Sequence, residues 1–69
     1  MEITINNQKK SLAEYSGISV QHLLNLEIPE KQKGVAIAIN NKVVPRSDWE
    51  NKIISNNDIV LIIKATQGG

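Results

Sequence analysis

The strongest β-strand signal in the chain is IVLIIK, residues 59–64. Aliphatic side chains fill both of its alternating positions except at Lys64, which is typical of a strand with apolar neighbours on each face. The preceding residues 55–58, SNND, have the composition of a tight turn. We therefore predict a strand from Ile59 to Lys64 that is entered directly from that turn.

Two hairpins are predicted upstream of this strand. Residues 1–5 alternate apolar with polar side chains, and the following asparagine pair offers a turn into a second strand over residues 9–13. Residues 35–39, VAIAI, are apolar on both faces, and Asn40-Asn41 tolerates the positive φ angles of a tight turn into residues 42–44. Each hairpin should add two neighbouring strands to one sheet.

One helix is predicted between the hairpins. Ser19 is a suitable N-cap, and apolar residues follow it at helical spacing to about Leu26. A polar loop over residues 29–34 follows, and later Ser47 is expected to cap a short turn that contains Trp49. Strands grouped around a single helix indicate an α+β fold, with a mixed sheet of four to five strands packed on that helix.

Composition narrows the possible partners and locations. The net charge of +1 supplies no field that would concentrate a nucleic acid or an anionic membrane, so neither is expected to bind. No apolar run approaches the roughly 20 residues that cross a bilayer, and the N-terminal residues do not resemble a signal peptide. We expect a cytoplasmic protein that is monomeric when free.

Side chains that could perform chemistry are scarce. The chain has no cysteine, and His22 is its single histidine. His22 is expected to be solvated, as are Glu27 and Glu30, and Trp49 is expected to pack in the core. The sequence predicts no metal site and no permanently bound cofactor, and it predicts that the chain is not itself an enzyme.

The remaining feature is the C-terminal Gly68-Gly69. Glycine has no Cβ, so such a pair can pass through a channel too narrow for side chains and leaves the α-carboxylate unhindered. If residues 1–64 form the domain, then residues 65–69 form a flexible tail with a reach of roughly 17 Å. The terminal carboxylate could therefore enter the active site of another protein, although a frayed end without a task is the alternative.

Together with this tail, the segment INNKVVPRSDW, residues 39–49, resembles the ThiS family of thiamine-biosynthesis sulfur carriers. The resemblance covers essentially the whole chain and implies a ubiquitin-like β-grasp fold. It implies that a ThiF-type adenylyltransferase uses ATP to adenylate the carboxylate of Gly69, and that sulfur from a partner persulfide then displaces AMP. A ThiG-type thiazole synthase would consume the resulting thiocarboxylate.

The resemblance also implies roles for the residues near the C-terminus. Gly68, Gln67, Thr66 and Ala65 would thread the carboxylate into the partner. Alternation alone does not decide which face of the last strand is buried, but the resemblance to ubiquitin-like tails places Val60 and Ile62 inside. Leu61 and Ile63 are then predicted to face partner proteins.

Three other functions remain open at this stage. The small subunit of molybdopterin synthase is also a β-grasp sulfur carrier with a di-glycine end, although residues 43–49 favour the thiamine family. A ubiquitin-like modifier would use the same adenylation but transfer its whole chain to lysines. A plain interaction module would have terminal glycines by accident.

Overall fold

The computed structural model describes residues 1–30 and 33–64. Seven strands, one α-helix and one 3-10 helix follow each other along these residues. They are β1 (Glu2–Ile5), β2 (Gln8–Ser11), β3 (Ile18–Ser19), α1 (Val20–Glu27), β4 (Val35–Ile39), β5 (Lys42–Val43), the 3-10 helix (Arg46–Asp48), β6 (Ile53–Ile54) and β7 (Ile59–Lys64).

Both predicted hairpins are confirmed, and the same chemistry makes each turn. Asn6 and Asn7 have φ angles of 50° and 70°, and Asn40 and Asn41 have φ angles of 51° and 71°. Asparagine is one of the few residues that tolerate this left-handed region, because its short polar side chain makes local hydrogen bonds. The second strand of the first hairpin begins at Gln8 and ends at Ser11, so it lies earlier than the predicted residues 9–13.

The main sheet has five strands in the order β2-β1-β7-β4-β5. β7, the last described strand, is therefore the central strand of this sheet. β7 runs parallel to β1 and antiparallel to β4, which makes the sheet mixed. This is the α+β arrangement of five strands and one helix that the sequence predicted.

Helix α1 lies across one face of this sheet and begins where the sequence predicted. The Ser19 side chain accepts a hydrogen bond of 3.0 Å from the backbone N–H of His22, which satisfies one of the free donors of the first turn. Val20, Leu23 and Leu24 are fully buried. The helix ends at Glu27, one residue after the predicted end.

A second, two-stranded sheet was not predicted from the sequence. β3 and β6 pair antiparallel, with Ile18 opposite Ile54 and Ser19 opposite Ile53. Each strand has only two residues, too few for a recognisable periodic pattern. This small sheet connects the start of α1 to the segment before β7.

Trp49 lies in the core, as expected, with 2% of its surface exposed. Its Nε1–H donates a 3.0 Å hydrogen bond to the carbonyl of Val44, and the Arg46 guanidinium lies 4.7 Å from the ring centroid. The predicted cap at Ser47 is wrong. Pro45 occupies the N-cap position of the 3-10 helix without a side-chain hydrogen bond, and Ser47 lies within the helix.

Candidate functional site

β7 has two faces with opposite environments. Val60 and Ile62 are 1% and 8% exposed, whereas Leu61 and Ile63 are 45% and 51% exposed. The prediction that Val60 and Ile62 lie inside is thus confirmed. With Ile59, which is 57% exposed, the strand places three large aliphatic side chains in solvent, and Leu61 and Ile63 are the two that lie nearest to the predicted start of the C-terminal tail.

The neighbouring strands extend this apolar surface across the open face of the sheet. Ala36 lies opposite Ile63, Ala38 lies opposite Leu61, and Val43 lies opposite Ala38 on the far strand. Directly opposite residues share one face of a sheet. These five residues form the open-face patch, in which Val43 is 75% exposed.

The other half of the same face is polar. Thr4 lies opposite Lys9, and Glu2 lies opposite Ser11 in the register of β1 with β2. Glu2, Lys9 and Ser11 are exposed. An apolar half beside a polar half is the pattern of a surface that contacts a partner on one side only.

The alanines and Val43 were not identified as candidate residues from the sequence. A signal was present, because large residues alternate with small ones in Val35–Ile39. The sequence could not show that β4 neighbours β7, so it could not show that Ala36 and Ala38 continue the surface of Leu61 and Ile63. Small side chains there leave the larger β7 residues prominent.

The predicted reactive segment lies outside the described residues. Lys64 is the last described residue, and the predicted roles of Ala65, Thr66, Gln67, Gly68 and Gly69 concern residues beyond it. Because β7 is described as far as Lys64 and the following residues are outside the described range, the boundary between domain and tail stays a prediction. The central strand of the sheet leads directly into the segment that contains the predicted reactive group.

Side chains elsewhere do not form a catalytic arrangement within residues 1–30 and 33–64. The exposed His22 makes an edge-to-face contact with Tyr15 at 5.2 Å between ring centroids. Glu27 pairs with Lys10 at 2.7 Å. No group of three potential metal ligands occurs in this part of the chain.

Within the described part of the chain, no helix has the length and apolar character needed to cross a bilayer. α1 has eight residues.

Comparison with known proteins agrees with the fold. The family model described as ThiS family matches residues 3–69. A protein of Escherichia coli (strain K12) named Sulfur carrier protein ThiS is 35% identical over 69 residues, and the alignment covers 100% of both chains.

Two solved structures of a thiamine biosynthesis protein from Geobacter metallireducens share the fold. The crystal structure, described as ThiS, has a TM-score of 0.86 at 21% identity, and the match covers 100% of both chains. The NMR structure has a TM-score of 0.84 at 20% identity and covers 100% of this chain and 88% of the other. These matches confirm the ubiquitin-like β-grasp fold. Because the family match extends over nearly the whole sequence and the E. coli relative aligns from end to end, this chain belongs to the ThiS family.

Proposed function

We propose that this chain is a sulfur carrier in thiamine biosynthesis whose reactive group is the carboxylate of Gly69. The observation that supports it most is the family match over residues 3–69, which includes the Gly68-Gly69 end. The open-face patch beside the end of β7 adds independent support, because it offers a partner an apolar surface next to the tail. The chain acts as a co-substrate of partner enzymes and not as an enzyme.

The first step is activation of a poor electrophile. A carboxylate oxygen of Gly69 attacks the α-phosphorus of ATP on a ThiF-type adenylyltransferase, and pyrophosphate leaves. The product is an acyl-adenylate, in which AMP is a good leaving group. ATP belongs to the partner in this scheme, and the carrier binds no cofactor permanently.

The second step installs sulfur. The terminal sulfur of a persulfide on the donor attacks the acyl carbon of the adenylate and expels AMP, which gives an acyl disulfide. A thiol then attacks the donor's own sulfur atom, forms a disulfide with it and releases the Gly69 thiocarboxylate. Because the chain contains no cysteine, its own side chains offer no thiol that would compete for the persulfide.

The third step is donation of that sulfur to a ThiG-type thiazole synthase for thiazole ring formation. Each of these partners must bind the tail in turn, so we expect all of them to contact the same surface of the carrier beside the tail. Leu61 and Ile63 are the residues we propose for this contact, together with Ala36, Ala38 and Val43 of the open-face patch. Burial of such a patch in a partner is favourable at about 25 cal/mol per Å² of apolar area.

The proposal includes a location and a state for the free protein. The chemistry requires ATP, a persulfide donor and reducing thiols, which are cytoplasmic reagents, and we propose that the carrier works in that compartment as a monomer when free. Its net charge of +1 gives no reason to expect nucleic acid or membrane partners.

Growth without thiamine tests the function. In the organism of origin, deletion of the coding sequence should abolish growth on medium that lacks thiamine, and the intact chain should restore it. A chain without Gly69 should fold with an unchanged melting temperature but fail to restore growth. Restoration by the truncated chain would contradict the proposal, and covalent attachment of the intact chain to other proteins would favour a protein modifier instead.

The docking surface has a separate test. Ile63→Asp places a charge in the open-face patch, whereas Ser11→Asp makes the same change on the polar half of the same face. We expect Ile63→Asp to raise the KM of the adenylyltransferase for the carrier by about tenfold or more, and Ser11→Asp to change it by less than about twofold. Equal effects would show that the patch is not the contact.

A further inference from the structure

Asparagine side chains hold β7 near both of its ends. At the start of the strand, Asn40 Oδ1 accepts a 2.9 Å hydrogen bond from the backbone N–H of Ile59. Towards its end, Asn6 Oδ1 accepts a 2.8 Å hydrogen bond from the N–H of Ile62, and Asn6 Nδ2 donates to the Ile62 carbonyl at 3.2 Å. The sequence pattern predicts both asparagines only as turn residues.

The Asn6 side chain replaces the pairing between β1 and β7 at the point where the chain leaves β1 and turns away from β7. The register of β1 with β7 ends with Ile5 opposite Val60, and the Asn6 N–H then donates to the Val60 carbonyl at 3.0 Å. The chain next enters the left-handed turn at Asn6 and Asn7. One carboxamide thus supplies the acceptor and the donor that a further β1 residue would have offered to Ile62.

This contact lies close to the start of the tail. On its other side, β7 continues to pair with β4, with Ile37 opposite Ile62 and Val35 opposite Lys64. On the β1 side, the Asn6 side chain is the partner of Ile62, two residues before the end of the strand. Loss of this side chain would leave the last residues of β7 hydrogen-bonded mainly to β4.

We propose that Asn6 is a positioning residue that fixes the end of β7 and thereby the presentation of the Gly69 carboxylate to the adenylating partner. This inference rests on the proposed function. A strand end that is already ordered loses less conformational entropy when the tail enters the partner, so binding is tighter at equal contact area. The Asn6 side chain contacts the backbone of Ile62, so we expect its loss to weaken recognition of the carrier and to leave the rate of the bound complex unchanged.

A merely stabilising role would make a different prediction, and Asn40 is the matched control. Both residues have φ near 50°, and both bind the backbone of β7 through the side-chain carboxamide. Their contacts on the strand are three residues apart, which corresponds to roughly 10 Å. Asn40 therefore tests the same acceptor contact at the end of β7 that is remote from the predicted tail, although its Nδ2 donates to Asp58 Oδ1 at 3.0 Å and not to a β7 carbonyl.

Three variants separate the two roles. Asn6→Gly and Asn40→Gly remove the side chain but keep a residue that adopts positive φ without strain. Asn6→Asp retains an acceptor for the Ile62 N–H but removes the donor to the Ile62 carbonyl. Amide hydrogen exchange of Ile62 reports whether the strand end has loosened, and the melting temperature reports the cost in global stability.

The decisive measurement is steady-state pyrophosphate release by the cognate adenylyltransferase at saturating ATP, persulfide donor and reducing thiol, which consume the adenylate, with the carrier as varied substrate. We expect Asn6→Gly to raise KM for the carrier roughly three- to tenfold, with kcat within about twofold, and to accelerate exchange of the Ile62 amide. The KM of Asn6→Asp and its rate of Ile62 amide exchange should lie between those of Asn6→Gly and the parent. Asn40→Gly should leave KM and kcat within about twofold of the parent values, even if its melting temperature falls by as much as that of Asn6→Gly.

Two results would overturn the inference. One is an unchanged KM for Asn6→Gly, whether or not Ile62 exchanges faster. The other is an equal rise in KM for Asn6→Gly and Asn40→Gly, which would assign both residues to general stability. Failure of the proposed function is seen separately, because the unaltered chain would then release no pyrophosphate with the enzyme.

Discussion

The two faces of β7 are nearly identical in composition and opposite in their surroundings. Val60 and Ile62 belong to the buried core that also contains Leu23 of α1, while Leu61 and Ile63 are about half exposed on the opposite face of the same strand. Hydrophobic side chains on the inner face stabilise the fold because they leave water when the chain folds. Those on the outer face remain exposed in the free protein, so they gain the same stabilisation only when a partner covers them.

A charge introduced on each face of β7 in turn should give the largest difference in the free energy of unfolding. Val60→Asp places a carboxylate at a position that is 1% exposed, and an unpaired buried charge costs several kcal/mol. A domain of this length has a free energy of unfolding of only roughly 3–10 kcal/mol, so we expect the variant to be unfolded. Circular dichroism would measure this directly.

The matched control is Leu61→Asp on the opposite face. Because Leu61 is 45% exposed, we expect its free energy of unfolding to change by no more than about 0.5 kcal/mol. A folded Val60→Asp variant, or an unfolded Leu61→Asp variant, would mean that the faces are assigned the wrong way round.

Shortening an isoleucine to alanine on each face of β7 should give a smaller difference in the free energy of unfolding. Ile62→Ala removes buried methyl and methylene groups and should lower the free energy of unfolding by about 2–4 kcal/mol. Ile63→Ala, at a position that is 51% exposed, should lower it by less than about 0.5 kcal/mol while weakening binding to the adenylyltransferase. Urea denaturation measures the first quantity; comparable losses of stability at both positions would argue against a solvent-exposed outer face.

Helix α1, which packs in the core with the inner face of β7, can be destabilised without changing a residue on either face of that strand. Ser19→Ala removes the side-chain acceptor for the His22 N–H at the start of α1 and should destabilise the domain by about 1 kcal/mol. Because Ser19 lies away from the open-face patch, KM for the carrier should stay unchanged at temperatures where the variant is folded. A raised KM there would couple the helix to the docking surface and contradict the division between faces.

The smallest expected effect concerns two neighbouring lysines. Lys10 pairs with Glu27 of α1 at 2.7 Å, whereas Lys9 lies on the open face opposite Thr4. With side chains 47% and 21% exposed, the Lys10–Glu27 pair should contribute about 0.2–1 kcal/mol, and less at high salt. Lys10→Ala should therefore lower the melting temperature slightly and in a salt-dependent way, while Lys9→Ala should not.

The sequence predicted those parts of the fold that depend on local chemistry. The asparagine pairs at both hairpins, the Ser19 cap and the apolar run of β7 each act within a few residues, so their structural consequences could be derived directly. Ser47 was misplaced as a cap, because Pro45 already supplies the fixed backbone geometry that begins the 3-10 helix.

The sequence did not predict features that depend on which strands become neighbours. The pairing of β3 with β6 joins residues far apart in the chain, and each partner is too short for a pattern. Ala36, Ala38 and Val43 join the candidate docking surface only because β4 lies between β7 and β5. The choice of face on β7 required the family resemblance, since alternation permits both assignments.

Intact-mass spectrometry tests the central claim most directly. The purified chain is incubated with ATP, the cognate adenylyltransferase, a persulfide sulfur donor and a reducing thiol. The mass of the intact chain is then measured, and its C-terminal fragment is analysed to locate the change. We expect one oxygen at Gly69 to be replaced by sulfur, with the change lost when ATP is omitted or Gly69 is deleted. An unmodified C-terminus under conditions where the enzyme and donor are active, or sulfur found elsewhere on the chain, would contradict the account.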